Sequence, residues 1–203
     1  GVEIMDRMEK PERKFLDAQW AARTEGLPLA TPEQAVILAS IVEKETSLPA
    51  ERRHIAAVFV NRLKAGMKLQ SDPTIIYGIT KGYPLGRGIR ESELEGETPY
   101  NTYVIAGLPP TPICNPGKDS LAAVLKPAAS PDLYFVANGK GGHVFAATMA
   151  EHQRNVVAWR AVERARDGLP PLEAAKPPVS KEKAAKAKAS KPKAAAGHRR
   201  HAR

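Results

Sequence analysis

Two carboxylates, Glu43 and Glu45, close an otherwise apolar stretch, VILASIVEKETS, from Val36 to Ser47. Acidic side chains are seldom fully buried unless they are paired or perform chemistry. On a helical wheel of about 100° per residue, Ala35, Val36, Ile37, Leu38, Ala39, Ile41 and Val42 cover most of the circumference. That is the pattern of a helix buried on nearly all sides. Glu43 falls between Val36 and Ala39, near Ser40, where small neighbours leave room for a ligand. Glu45 falls between Leu38 and Ile41, where larger neighbours suit a salt bridge that supports Glu43. A carboxyl held among apolar groups has a raised pKa and can act as a general acid near neutral pH. The spacing equally allows both glutamates to face water at a helix end, paired with Lys44, Arg52 or Arg53.

Other polar side chains sit where a groove could be lined. KLQSDPTIIYG offers Gln70, Ser71 and Asp72 in a loop fixed by Pro73. TPYNTYVIAGLPPTPICNPG offers Tyr100, Asn101, Thr102 and Tyr103. Aromatic and amide groups on loops suit a sugar, because rings stack on C–H faces and amides bond to hydroxyls. The plainer alternatives are an Asp-Pro turn for the first segment and a helix cap before a Pro-rich connector for the second. His143 and His152 lack a matched ligand set, so no metal site is expected. Cys114 is the single cysteine, cannot form an internal disulfide, and reads as a small loop residue. NGKGG lacks the strand, spacing and Ser/Thr of a phosphate loop, and no G-x-S-x-G elbow is present.

The elements that must hold these residues are mostly helices. Residues 1 to 25 read as a helix that Pro11 kinks or splits. Thr31, Pro32 and Gln34 form a helix start with a capping box, predicting a helix from Pro32 to Thr46. A second begins near Pro49 and stops near Gly66. The Gly- and Pro-rich span from Met67 to Pro116 should be irregular, with short helices at 74–77 and 99–105. A short helix at 120–125 follows; LYFVANGKGGHVFAA then reads as a hairpin, and a last helix runs from Met149 to Asp167. The fold expected is α+β, mainly helical, with a small antiparallel hairpin element.

The chain has 203 residues and a net charge of +9. Residues 174–203 hold seven Lys, three Arg and one Glu, so the excess charge lies in an Ala/Lys/Pro tail, and residues 1–173 balance to zero. The expectation is a folded domain over 1–173 and a disordered basic tail over 174–203. The tail is suited to loose contact with an anionic polymer or membrane, or to solubility alone, and implies no specific nucleic acid. No apolar run approaches the roughly 18 residues that span a bilayer. The start at Gly1, in what reads as mid-protein helix, suggests a piece of a longer protein.

ASIVEKE, FVNRLKAGMKLQSDPTIIYG, YNTYVIAGLPPTPICNPG and LYFVANGKGGHVFAATMAEHQRNV resemble, in order and spacing, the endolytic murein transglycosylases of the MltG (YceG-like) family. That resemblance implies cleavage of the MurNAc–GlcNAc β-1,4 bond inside peptidoglycan strands, leaving 1,6-anhydro-MurNAc ends and ending the growth of nascent chains. It implies catalysis by the first glutamate of the EKE motif, Glu43, in agreement with the wheel, which gives Glu45 the supporting role. Gln70, Asp72, Tyr100, Asn101 and Thr102 would hold the sugars, and no cofactor or metal is implied. It also implies an N-terminal anchor outside this sequence, an inner-membrane location facing the periplasm, and peptidoglycan synthases as partners. The rivals are a non-catalytic peptidoglycan-binding scaffold of the same fold and a pyridoxal-phosphate lyase. The lyase needs an enclosed Schiff-base lysine, and only Lys44 lies in an apolar stretch.

A chain ending at Glu173 should keep its melting temperature and its rate on soluble glycan strands. Loss of melting temperature would show that the tail packs on the domain.

Overall fold

The computed structural model describes residues 10–170. The expected tail, 174–203, and the first residues of the expected N-terminal helix lie outside them. Helix α1, Lys10–Ala21, has Pro11 in its first turn, where a missing N–H costs nothing. Pro11 therefore causes no break within the described helix.

Helix α2, Pro32–Glu45, starts as the sequence predicts, with the Thr31 hydroxyl accepting from the Gln34 N–H at 3.4 Å. The Gln34 amide oxygen accepts from the Ala30 N–H at 2.7 Å, one residue earlier than a capping box requires. Eight consecutive residues, Ala35 to Val42, are buried. A helix apolar all round must be wrapped, and α2 packs against α3 (Pro49–Lys64), α4 (Asp72–Thr80), α6 (Lys118–Leu125) and α1. Ile55, Phe59, Val124 and Leu125 from these neighbours complete the core with Leu16 and Leu38.

Ser40 is the one polar side chain in the buried run of α2. Its hydroxyl donates to the Ile37 carbonyl at 2.7 Å and accepts from the Ile113 N–H at 2.9 Å. The Cys114 thiol donates to the Ser40 carbonyl at 3.3 Å. The connector 111–117 is thereby fastened across the core helix, which makes Cys114 a loop residue with a structural contact.

Strands β1 (Tyr134–Ala137) and β2 (His143–Ala146) form the expected antiparallel hairpin, with Phe135 opposite Phe145 and Ala137 opposite His143. Helix α3 holds it through polar side chains. Asn61 donates to the Ser130 and Asp132 carbonyls at 2.8 and 2.9 Å, and His54 Nε2 lies 2.7 Å from Asp132. Glu51 accepts from the His143 N–H at 2.9 Å and meets His143 Nδ1 at 2.8 Å. His143 and His54 are thus latches. Helix α7, Met149–Arg166, follows. The described residues up to Glu163 form one compact unit. Beyond it, the Leu169 N–H closes on the Arg164 carbonyl at 2.8 Å, with Gly168 at φ 66°.

The helix expected at 99–105 is instead a series of turns. Asn101 explains this: its amide donates to the carbonyls of Glu93, Leu94 and Gly96 at 3.2, 3.0 and 2.7 Å. It thereby binds the segment to a short helix, α5 (Glu91–Glu95), where the sequence reads as irregular. The expected helix at 74–77 is longer, spanning all of α4.

Leu38 is fully buried, so Leu38→Ala should cost about 3 kcal/mol through lost transfer energy and a cavity. A shift in urea midpoint at constant slope would measure this.

Candidate active site

Glu43 and Glu45 leave α2 on different faces, and their surroundings are opposite in kind. Glu43 accepts from the Ser120 hydroxyl at 2.5 Å and from the Gly117 N–H at 3.1 Å. Gly117 is the N-cap of α6, so this carboxylate sits at the positive end of that helix. The Ser120 bond chiefly, with Gly117 and the charges of Arg52 and Lys44, holds the Glu43 pKa below the ordinary range. The raised Glu43 pKa expected from its apolar wheel neighbours does not hold, because donors on α6 supply the polar partners that the wheel omits. At neutral pH Glu43 is an ionised anchor for α6.

Glu45 is the reverse. Burial pushes its pKa from 4.5 to about 7, reinforced by the charge of Asp72 and opposed by the Ser71 bond and the Arg62 charge. Its Oε1 accepts from the Ser71 hydroxyl at 2.5 Å, so a hydroxyl supports it where a salt bridge is expected. A carboxyl with this pKa holds its proton about half the time at neutrality, as a general acid must.

The loop that meets Glu45 is built for that position. Arg62, only 8% exposed, donates from Nε to the Leu133 carbonyl at 2.7 Å and from Nη1 to the Leu69 carbonyl at 2.8 Å. Nη1 also lies 3.4 Å from the Gln70 side-chain oxygen. Gln70 takes φ 52°, a left-handed conformation that a non-glycine residue holds only under constraint. Its N–H donates to the Thr102 carbonyl at 3.1 Å, and the Thr102 hydroxyl accepts from the Ser71 N–H at 2.9 Å. Asp72 follows, exposed, its Oδ1 accepting from the Tyr103 hydroxyl at 2.6 Å. Burial and the Asp72 carboxylate push the Tyr103 pKa up.

Of the residues expected to hold sugars, Gln70 and Asp72 thus stand with Glu45. Thr102 is fully buried and Asn101 is 1% exposed; both brace loops, and their side chains have no face left for a sugar. Tyr100 bonds Thr111 at 2.8 Å and lines a separate cavity of about 780 Å³ with Phe15, Tyr77 and Cys114. A smaller hollow of about 350 Å³ adjoins Glu43, Arg52 and Lys118. Size favours the larger cavity, but Glu12 is the one carboxyl side chain that lines it, and the carboxyl whose pKa burial raises, Glu45, lies elsewhere. Among the described residues, no group of three His, Cys, Asp or Glu side chains could hold a metal ion.

Arg62 and Tyr103 carry weight that the sequence reading does not give them. A signal for Arg62 exists: it continues the apolar stripe Ile55, Val58, Phe59 at i+7, where a cation needs a reason.

Residues 1–158 match the model of the YceG-like family. A Bacillus subtilis protein named endolytic murein transglycosylase is 43% identical over 117 residues, covering 58% of this chain and 32% of that protein. A Streptococcus pneumoniae protein of the same name is 38% identical over 132 residues, covering 62% of this chain and 23% of that protein. A crystal structure of a yceG-like protein from Listeria monocytogenes matches with TM-score 0.57 and 36% identity, covering 71% of this chain and 43% of that one. This chain therefore spans a third or less of the length of the two curated relatives.

Stability followed from about pH 4 to about pH 9 should separate the two glutamates. Between 4.5 and about 7 the folded chain keeps the Glu45 proton while the unfolded chain loses it. This contribution is complete below the unfolded value and lost as pH rises through the folded one, of the order of 3 kcal/mol. Glu45→Gln should remove that decline. Glu43, with its lowered pKa, stabilises above the ordinary carboxylate range and loses this as pH falls. Glu43→Ala should cost about 1–3 kcal/mol at neutral pH by stranding the buried Ser120 hydroxyl. A decline with pH that survives Glu45→Gln would contradict the assignment.

Proposed function

This chain belongs to the YceG-like family, and from that premise we propose that it is the cutting domain of an endolytic peptidoglycan transglycosylase. The observation that carries the proposal is Glu45, a carboxyl with a pKa of about 7, beside the exposed Gln70 and Asp72. The names of the Bacillus and Streptococcus relatives support the substrate.

Glu45 donates its proton to the glycosidic oxygen between MurNAc and GlcNAc as the bond to C1 breaks. Positive charge develops at C1, and the carboxylate now on Glu45 faces it. That carboxylate then takes the proton of the sugar's own C6 hydroxyl while O6 bonds to C1. No water is added, Glu45 regains its proton, and the product is a 1,6-anhydro-MurNAc end. One carboxyl serves where most glycosidases need two. The nucleophile belongs to the same sugar, so orientation replaces activation of water. Asp72, with Oδ1 engaged by Tyr103, acts as a brace and not as a base for water.

The catalytic role, which the family resemblance assigns to Glu43, passes to Glu45 in this proposal because the two carboxyls have opposite proton affinities. A peptidoglycan-binding scaffold without activity would leave the proton on Glu45 without a use. No helix among the described residues is long and apolar enough to cross a membrane. Attachment to the inner membrane, a catalytic face in the periplasm, synthase partners and termination of nascent strands extend the proposal to the longer protein.

Mass spectrometry of muropeptides after digestion of intact strands in isotopically labelled water provides the test. The expected products are anhydro ends, about 18 mass units lighter than hydrolysed ends. Glu45→Gln should lose about 10²–10⁴-fold in rate, the usual contribution of a general acid. Glu43→Gln should still cut, and activity of the wild type should fall as pH rises past about 7. Labelled reducing ends, or near-normal cutting by Glu45→Gln, would overturn the proposal.

A further inference from the structure

We infer that Ser71 is a positioning residue for the transferred proton: its hydroxyl fixes Oε1 of Glu45 as an acceptor and leaves Oε2 to carry the proton to the sugar. The inference rests on Glu45 being the acid. Three observations support it independently of that role.

First, Ser71 stands at the N-cap of α4, and serine is among the best N-cap residues because its hydroxyl accepts from the first-turn N–H groups. Here the side chain makes no capping bond at all. The Thr74 N–H is served by the Ser71 backbone carbonyl at 3.1 Å instead. The hydroxyl is diverted to Glu45 at 2.5 Å. A local stabilising rule is broken, and such breaks concentrate where a group has other work.

Second, Ser71 has no freedom to turn elsewhere. It is 1% exposed, its N–H is held by the Thr102 hydroxyl, and its carbonyl also accepts from Thr74 Oγ1 at 2.6 Å. Third, the preceding residue, Gln70, is held in the left-handed region, which sets the direction in which the chain enters position 71.

The hydroxyl donates to a neutral carboxyl before cleavage and to a carboxylate once the proton has left. Hydrogen bonds to ionised acceptors are shorter and roughly twice as strong. The Ser71 bond therefore tightens as Glu45 ionises and favours the transition state over the bound substrate. Asp72 on α4, Arg62 on α3 and Tyr103 in the turn segment also face Glu45, and the test leaves all three in place.

The test compares Ser71→Ala and Ser71→Thr with the wild type and Glu45→Gln, using kcat, KM and the pH profile. Ser71→Ala should lower kcat by about tenfold with little change in KM. It should also move the alkaline limb upward, because the bond that favours the ionised form has gone. Ser71→Thr, which keeps the hydroxyl, should restore both. If Glu45→Gln is inactive while Ser71→Ala has the wild-type kcat and limb, the inference is overturned and the Glu45 assignment stands. A loss of melting temperature in Ser71→Ala with an unmoved limb likewise overturns it, in favour of a structural role. Activity in Glu45→Gln would remove the assignment itself.

Discussion

A guanidinium with almost no access to water holds the site together. Arg62 reaches two separate stretches of chain, the 68–70 loop and the lead into β1, and nearly all its bonds go to backbone carbonyls. Such bonds need only the path of the chain, so Arg62 fixes where the loop runs and leaves its side chains free for other duties. An ammonium could not replace it, because the planar fork sets both directions at once. The strained Gln70, the diverted Ser71 and the start of α4 all lie within the few residues this cation holds.

Helix α2 imposes the complementary constraint. Because it is buried on every side from Ala35 to Val42, a charged group can leave it only at its two ends. Two glutamates leave its last turn on different faces, and each inherits the chemistry of what it meets. Glu43 meets the N-terminus of α6 and two donors, and ionises. Glu45 is buried beside the Asp72 carboxylate, and its pKa rises to about 7 although the Ser71 hydroxyl and the Arg62 charge pull it down. A pair of identical side chains, two residues apart, is thus divided into an anchor and an acid by tertiary partners alone.

The division marks where the sequence stops being legible. Helix periodicity and turn chemistry sufficed for α2, α3, the hairpin and α7, because their signals are local. They also sufficed to single out the two glutamates and the loop at Gln70 and Asp72. Which glutamate holds the proton depended on Ser120, 77 positions away, which lowers the Glu43 pKa, and on the burial of Glu45, which raises its own against the pull of Ser71, and no wheel includes these. Asn101 failed for a related reason. An amide that looks ready for a sugar is spent on three carbonyls of a neighbouring turn, and those bonds break the helix that propensity suggests.

The hairpin carries a consequence for how the molecule opens. Two strands alone are marginal in water, and these rest on α3 through histidine–carboxylate contacts, amide bonds and the edge of Phe135 on Phe59. Phe135 and Phe145 pack on the helical core from outside its buried set, and Ala146 is the one buried residue of the two strands. Amide protons of β1 and β2 should therefore exchange through a small local excursion, and those of α2 only when the whole chain unfolds. The Leu133 carbonyl, at the base of β1, is also one end of the Arg62 grip. Each excursion of the strands would loosen the loop around Glu45 and give the site an intrinsic breathing motion with no hinge of its own.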